Sequence, residues 1–321
     1  MIAKLSNQLG NQMFIYAAVK TISQTKNYSF KYVLGDTYIV NSFDKNYGNT
    51  IYSIFPNTKQ DLCENLPKIY DIYNEPYETN RVTNYNLDAY DVLDNTIMCG
   101  LFQSPLYFES NKKNVKNWFM FPEEIRQDAI SKMNTIKEQY KGDNIVAIHF
   151  RQGADYQKLG YAIGKKYYVN AINKIISILG DNCFFVLLGD RLPKNISKLF
   201  PTGNYCNVRG SLAEDLCFLS ICNNLIISNS TFAWWGAFLS DANIIIRPST
   251  FYTFGTSSAP SDIFPKEWIS VKATRSTHAK MSGMLLQTVE STRLKIKEKC
   301  PTLYNKVMKY IYKIAGIKRS E

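Results

Sequence analysis

The chain has 321 residues, of which 45% are hydrophobic and 20% charged, a composition typical of a globular protein with a large core. It contains no apolar run near the roughly 18–20 residues of a membrane-spanning helix, and no Walker, Gly-x-Ser-x-Gly or His-Glu-x-x-His sequence. Seven scattered cysteines and two histidines argue against a disulfide framework or a zinc site and favour the cytoplasm. Because Met1 leads directly into a predicted strand, we expect no signal peptide.

The first elements are a predicted strand over Met1–Leu5 and a helix whose first turns cover Met13–Lys20. Between them, Gly10 permits a tight turn, and the side chains of Asn11 and Gln12 can both donate and accept hydrogen bonds. Sugar hydroxyls require that double capacity, which predicts a carbohydrate contact. A plain polar turn between strand and helix explains the segment equally well.

From residue 145 onward, strand-like and helix-like segments alternate. This alternation predicts a parallel, doubly wound sheet, in which ligands bind at the carboxyl ends of the strands. The predicted strands cover residues 145–150, 183–188, 225–228 and 243–247, and the predicted helices about 165–179, 212–222 and 231–239.

Polar side chains cluster where the strand 145–150 ends. Arg151 suits a diphosphate, because its planar guanidinium donates two parallel hydrogen bonds. Asp155 has three possible roles: it orients Arg151, orients His149, or acts as a base. An ordinary Arg–Asp surface pair after a strand is the alternative interpretation.

A second polar step, Asn229-Ser230-Thr231, stands at the start of the helix predicted over 231–239. Ser230 and Thr231 are typical helix caps, and a helix N-terminus directs its free N–H groups at an anion such as phosphate. The alternative is a capped helix whose Trp234 and Trp235 fill the core. Asp215, at the start of the preceding predicted helix, is either a cap or a ligand contact.

The net charge of +11 is concentrated at the C-terminus. The segment Lys272–Glu321 holds twelve Lys or Arg and three Glu, which leaves it at +9. Its apolar residues recur at helical spacing between lysines, which predicts a basic amphipathic helix suited to an anionic membrane surface. A solvated helix packed on the body explains the pattern equally well. No nucleic-acid-reading module is present, so we expect no nucleic-acid partner. The apolar residues are Leu303, Val307, Tyr310, Ile311 and Ile314, and the lysines Lys306, Lys309 and Lys313.

Three segments together resemble the bacterial α-1,2-fucosyltransferases of glycosyltransferase family 11. The segment Leu9–Phe14 matches Leu-Gly-Asn-Gln-Met-Phe of the family, and Asn229–Ala237 matches Asn-Ser-(Ser/Thr)-Phe-(Ser/Ala)-Trp-Trp-Gly-Ala. The family's His-x-Arg-Arg-Gly-Asp-Tyr is matched in order by His149, Arg151, Gly153, Asp155 and Tyr156. The chain departs from the family at Asn7-Gln8, where the family has Gly-Gly, at Gln152, which replaces the second arginine, and at the extra residue Ala154. The resemblance runs from Met1 to about Ile269.

The resemblance implies an α/β fold with two Rossmann-like lobes facing a cleft, as in GT-B-type glycosyltransferases. Residues 1–140 would form the acceptor-side lobe, residues 141–271 the lobe that binds the GDP-sugar, and residues 272–321 the basic helical tail. The reaction implied is inverting transfer of L-fucose from GDP-L-fucose to the 2-hydroxyl of a β-galactoside, without a metal ion or a cofactor. The acceptor would be a glycan of O-antigen or capsule biosynthesis. If that glycan is lipid-linked, the tail would hold the protein at the inner face of the plasma membrane.

The resemblance also assigns roles to residues. Arg151, Ser230, Thr231 and the N-terminus of the helix that they begin would stabilise the departing diphosphate, and Asn229 would bind substrate. His149 would either support the diphosphate or position Arg151. Either His149 or Asp155 would be the general base. The cleft would be lined by Gly10, Asn11 and Gln12, and Asp215 would accept hydrogen bonds from guanine. Two other functions stay open: a transferase that uses another sugar nucleotide, and a carbohydrate-binding protein that has lost transfer through the changes at Gln152 and Ala154.

Overall fold

The computed structural model describes residues 1–35, 50–63, 70–76, 84–140, 144–158, 160–193, 195–200, 203–251, 262–277 and 279–281. The helices are α1 Leu9–Thr25, α2 Ile51–Ile54, α3 Lys112–Trp118, α4 Glu123–Tyr140, α5 Ala154–Lys158, α6 Lys165–Leu179, α7 Leu212–Ser220 and α8 Thr231–Leu239. The strands are β1 Ile2–Leu5, β2 Lys31–Leu34, β3 Asp71–Asn74, β4 Thr96–Cys99, β5 Asn144–Phe150, β6 Cys183–Gly189, β7 Tyr205–Asn207, β8 Asn224–Ile226, β9 Ile244–Pro248 and β10 Ile269–Val271.

These strands form two parallel sheets, which confirms the predicted α/β fold with two lobes. The first sheet has the order β2-β1-β4-β3, and the second has the order β10-β9-β8-β5-β6-β7. The pairings within each sheet are parallel, so the carboxyl ends of neighbouring strands lie at one edge. That edge is where open α/β sheets bind ligands.

The start of α1 differs from the sequence prediction. The helix begins at Leu9 rather than Met13, because the backbone carbonyl of Gln8 accepts the amides of Asn11 at 2.9 Å and Gln12 at 3.2 Å. The left-handed turn lies at Asn7, with φ of 63°. The prediction of a tight turn at Gly10 was therefore wrong, and the Gly-Asn-Gln step forms the first turn of a helix.

An aromatic core joins the two lobes through α1 and α8. Trp234 stacks on Phe238 with ring centroids 4.8 Å apart, and Trp235 stacks on Phe108 at 5.4 Å. Phe14 of α1 contacts Trp234 at 4.4 Å. The tryptophans therefore fill the core, as one interpretation of this segment predicted, and they do so between the lobes.

Helix α4 packs against α7, which belongs to the second sheet. Lys132 of α4 approaches Glu214 of α7 at 4.0 Å. The predicted boundary near residue 140 stays a prediction, although this contact shows that the last helix before it lies on the second lobe. The predicted amphipathic helix falls outside the described residues. Within the described part of the chain, no helix is long and apolar enough to cross a membrane.

Candidate active site

The N-termini of α1 and α8 meet where the two lobes touch. A Cβ added to Gly10 would lie 2.5 Å from Thr231 Oγ1 and 2.7 Å from its carbonyl carbon, so only glycine allows this approach. Trp235 Nε1 donates to the carbonyl of Gly10 at 2.9 Å. Because each helix N-terminus carries unpaired N–H groups and a partial positive charge, the junction favours an anion.

Ser230 occupies the N-cap position of α8, but its hydroxyl makes no capping hydrogen bond. Its carbonyl accepts the amide of Trp234 at 2.9 Å, which begins the helix. The expectation that this side chain caps the helix was therefore wrong. Since no side chain caps the first turn of α8, its amides have hydrogen-bonding capacity for a ligand.

Arg151 lies just beyond β5 and is held by two carboxylates. Its Nη2 donates to Asp155 Oδ2 at 2.6 Å, and its Nη1 donates to Asp190. The guanidinium carbon also lies 4.4 Å from the ring centroid of Tyr156. Although burial opposes the charge, Asp190, Tyr156 and Asp155 raise the pKa of Arg151 above its usual value. Arg151 is therefore a fixed, permanent cation.

Asp190 belongs to the site, although it is not among the residues predicted from the sequence. Its carboxylate accepts the amides of Gln152 at 2.8 Å and Gly153 at 3.0 Å, in addition to Arg151. A Cβ at position 153 would lie 2.5 Å from Asp190 Oδ2 and 2.6 Å from Asp155 Oδ1, so any other residue there would displace these carboxylates. The available signal was an acidic residue two positions after the predicted strand 183–188.

His149 is 4% exposed and lies beneath the site. Its Nδ1 is 2.9 Å from Ser228 Oγ, which ties the ends of β5 and β8 together, and its ring packs 5.6 Å from Phe232. Burial lowers the pKa of His149 to about 4, and Arg151 adds to that effect against the opposing influence of Asp190. The imidazole is therefore neutral near pH 7 and supplies no positive charge to a diphosphate.

Asn229 is fixed by backbone carbonyls on two sides. Its Nδ2 donates to Tyr161 at 3.0 Å and to Phe251 at 3.1 Å, while its own carbonyl accepts the hydroxyl of Tyr156 at 3.2 Å. Its Oδ1 is buried without a hydrogen-bond partner among the described residues. Tyr156 thus links the Arg151 segment to the segment that begins α8.

Gln152 stands where the family has its second arginine. Its Nε2 donates to the carbonyl of Ile163 at 2.9 Å, and its Oε1 accepts from Gln157 at 2.8 Å. Gln157 in turn accepts the hydroxyl of Ser276 at 3.0 Å. The side chain therefore joins neighbouring segments of the lobe and carries no charge for a ligand.

Asp215 lies at the start of a helix. It lies in the first turn of α7, where Ser211 and Glu214 form a capping box. Its Oδ1 accepts the amide of Gly210 at 2.9 Å, and burial raises its pKa to about 6. Within the described ranges, no hydrogen bond or ion pair joins it to Arg151.

The amides of Asn11 and Gln12 have different surroundings. Asn11 Oδ1 accepts from Gln103 Nε2 at 2.6 Å. Gln12 Nε2 donates to the carbonyl of Asn7 at 2.9 Å, and Gln12 Oε1 accepts the amide of Ile51 at 3.1 Å. Both the nitrogen and the oxygen of its side-chain amide are therefore hydrogen-bonded to the backbone. Of the two, Asn11 is the residue with capacity for a ligand.

Among the residues that the structure describes, no group of three or more His, Cys, Asp and Glu side chains is placed to hold a metal ion. Metal independence stays a prediction. The described geometry brings three sequence segments together: α1 meets α8 at Gly10, and Tyr156 joins Arg151 to Asn229. The result is one fixed guanidinium that Tyr156 links to the segment beginning α8, where two helix N-termini meet.

Comparison with known proteins gives matches over most of the chain. The family model described as glycosyl transferase family 11 matches residues 3–272. The chain is 27% identical over 300 residues to the O-antigen biosynthesis glycosyltransferase WbnK of Escherichia coli, covering 80% of this chain and 97% of WbnK. It is 26% identical to an alpha-1,2-colitosyltransferase of Escherichia coli, covering 85% of this chain and 99% of that protein. The crystal structure of the fucosyltransferase NodZ from Bradyrhizobium aligns with a TM-score of 0.42 at 13% identity, covering 74% of this chain and 92% of NodZ.

Proposed function

Since the chain belongs to glycosyltransferase family 11, we propose that it transfers L-fucose from GDP-L-fucose to the 2-hydroxyl of a β-galactoside. The transfer inverts the anomeric carbon and uses no metal ion or cofactor. The observation that carries the proposal is the fixed Arg151 guanidinium, which Tyr156 links to the segment that leads into the uncapped N-terminus of α8. The two parallel-sheet lobes are the GT-B-type arrangement that the family implies.

The chemistry requires stabilisation of a departing diphosphate. The acceptor oxygen bonds to the anomeric carbon of the sugar, the bond from that carbon to the phosphate oxygen breaks, and the electron pair leaves with GDP. The hydroxyl proton passes to a base or to solvent. Negative charge develops on the diphosphate, where Arg151 and the first amides of α8 would meet it. Preformed donors of this kind need no reorganisation during the reaction.

His149 and Asp155 have different relations to this step. Asp155 is bound to Arg151, so we assign it to orienting the guanidinium. The buried His149 is hydrogen-bonded through Nδ1 to Ser228 Oγ. We assign to His149 the role of holding together the strand ends that carry Arg151 and Asn229. In this proposal neither His149 nor Asp155 is the general base.

The relatives support the class of acceptor and the linkage. WbnK is named for O-antigen biosynthesis, which supports a surface glycan as the acceptor. The second relative is named as an alpha-1,2-transferase of colitose, which supports a 1,2-linkage and makes colitose a second candidate for the transferred sugar. Assays with both donors distinguish the two functions.

The direct test is acceptor-dependent release of GDP from GDP-L-fucose, with a panel of β-galactosides and EDTA present. We expect Arg151→Ala to lower turnover by about a hundredfold or more, the loss typical of a donor to a developing oxyanion. The exposed Arg126 of α4 provides the matched control, and Arg126→Ala is expected to keep wild-type turnover. Equal turnover in wild type and Arg151→Ala would remove Arg151 from the mechanism. Absence of both GDP binding and release in the wild type would exclude the donor.

We also propose that the basic C-terminal segment binds anionic membranes, which would bring the enzyme to a lipid-linked acceptor. Each lysine near such a surface contributes about 1 kcal/mol. Replacing Lys306, Lys309 and Lys313 by Gln in the full chain should release the protein from phosphatidylserine vesicles in a sedimentation assay. The three Lys→Arg changes keep the charge and should preserve binding. Equal binding by the Gln and Arg variants would exclude this role.

A further inference from the structure

The Asn11 amide has a defined orientation. Its Oδ1 accepts from Gln103 Nε2 at 2.6 Å, so its amino group is turned away from Gln103. Among the described residues, that amino group has no hydrogen-bond partner in the protein. Asn11 follows Gly10 in the first turn of α1, at the junction with Thr231. Its free N–H groups therefore add to the donors already gathered at the two helix N-termini.

Gln103 is placed by a strained turn that follows β4. Phe102, the residue before it, has a φ of 48°, which is uncommon for a residue with a side chain and costs roughly 1–3 kcal/mol. Gln103 itself is only 4% exposed. A strained turn persists only where its surroundings hold it, so the residues around it have a positioning role.

Glu75 holds this turn from the end of the neighbouring strand β3. Its Oε2 accepts the amide of Leu101 at 2.7 Å and that of Phe102 at 2.8 Å. Gly100 makes the approach possible, because a Cβ there would lie 2.4 Å from Glu75 Cβ. The Phe102 side chain is fully buried and packs 5.6 Å from Tyr107. The turn that carries Gln103 is thus fixed by hydrogen bonds and by packing.

We propose that Gln103 is a positioning residue that keeps the Asn11 amino group facing the diphosphate of the donor, and that Glu75 fixes the turn that carries Gln103. The inference rests on the proposed function, because it takes the ligand at the helix junction to be a nucleoside diphosphate. An amide turned the other way would present its oxygen to the phosphate oxygens and repel them. Gln103 thereby selects, without touching the donor, which half of the Asn11 amide the donor meets.

The test is a double-mutant cycle read by calorimetry with GDP. Gln103→Met preserves the size of the side chain but cannot donate, so Asn11 is free to rotate. We expect the Kd for GDP and the KM for the donor to rise about tenfold, as for loss of one hydrogen bond to a charged group, with the acceptor KM unchanged. In an Asn11→Ala background, Gln103→Met should cause no further change in Kd. Gln103→Asn, whose amide is too short to reach Asn11, should behave like Gln103→Met.

A matched pair at Glu75 tests the second half of the proposal. Glu75→Gln keeps an oxygen that accepts the two amides and should retain the wild-type Kd for GDP, whereas Glu75→Ala should reproduce the loss seen in Gln103→Met. Unchanged GDP affinity in both Gln103 variants, or additive losses for Gln103→Met and Asn11→Ala, would overturn the inference while wild-type transfer stands. Wild-type protein that neither binds GDP nor transfers fucose would overturn the proposed function, and this inference with it.

Discussion

The Arg151 guanidinium is held by carboxylates that come from different elements. Asp155 lies one helical turn along the same segment, so the sequence was sufficient to name it as a partner. Asp190 follows β6, and its contact depends on β5 and β6 being neighbours. One sequence does not give the order of strands in a sheet, which is why this second carboxylate was absent from the predicted site.

The opposite case is Gln152, where the sequence departs from the family. The loss of an arginine could be read from the sequence, but the new role of the residue could not. Its amide joins Ile163 to Gln157, and both contacts depend on the path of the chain after α5. The substitution therefore exchanges a possible phosphate contact for local support of the lobe.

At the residue scale, Asn11→Asp separates stability from binding. The new carboxylate keeps an oxygen that accepts from Gln103, and an acid in the first turn of a helix typically adds about 0.3–1 kcal/mol of stability. The same charge would face the diphosphate in place of an amino group. We expect a melting temperature equal to or above that of wild type, with GDP affinity lowered more than tenfold. Thermal unfolding and calorimetry on the same samples provide the measurement, and wild-type affinity in this variant would contradict the placement of Asn11.

At the element scale, the alternation of strands and helices from residue 145 onward was predictable because each element carries its own apolar pattern. The start of α1 was not, since its continuous apolar run begins at Met13, whereas the carbonyl of Gln8 already accepts the first amides of the helix. The requirement for glycine at position 10 could not be predicted either. It arises from the contact with α8 of the other lobe, between residues far apart in sequence.

The contact between α1 and α8 predicts a destabilising effect of Gly10→Ala. Alanine favours a helix over glycine by about 1 kcal/mol, but its Cβ would meet α8, and such overpacking typically costs about 1–3 kcal/mol. We expect a net loss in the free energy of unfolding, measured by urea denaturation. Thr231→Ala removes the nearest atom but leaves the Phe232 amide nitrogen at 2.8 Å, so it should restore only part of the loss. A Gly10→Ala protein more stable than wild type would show that the helices can separate freely.

At the scale of the whole molecule, the parallel sheet of the second lobe could be predicted from its alternating elements, and the first lobe only from the family resemblance. The packing of α4 against α7 could not be predicted. Nothing in the apolar pattern of α4 distinguishes packing on one lobe from packing on the other. Buried ionisable groups show the same dependence on the complete fold. Burial raises the pKa of Glu75 to about 7, and the carboxylate of Asp262 adds to the shift. Glu75 in turn contributes to the raised pKa values of Tyr73 and Tyr107.

The raised pKa of Glu75 sets the direction in which stability depends on pH. The folded state binds this proton more tightly than the unfolded state, so Glu75 makes folding less favourable as pH rises from about 4.5 to about 7. Glu75→Gln removes that dependence. We expect the variant to gain about 1–3 kcal/mol over wild type between pH 5 and pH 8, measured by urea unfolding across that range. A difference that does not change with pH would show that Glu75 ionises normally.

The shared aromatic core has a consequence for how the two lobes move. Opening them about a hinge would pull Trp235 from the carbonyl of Gly10 and expose the rings of Phe14, Phe108 and Trp234 to water. Each of those rings is fully buried, so the cost of such an opening would be a large part of the stability of a typical domain. We therefore expect the lobes to behave as a single rigid frame that admits the donor without a clamshell motion.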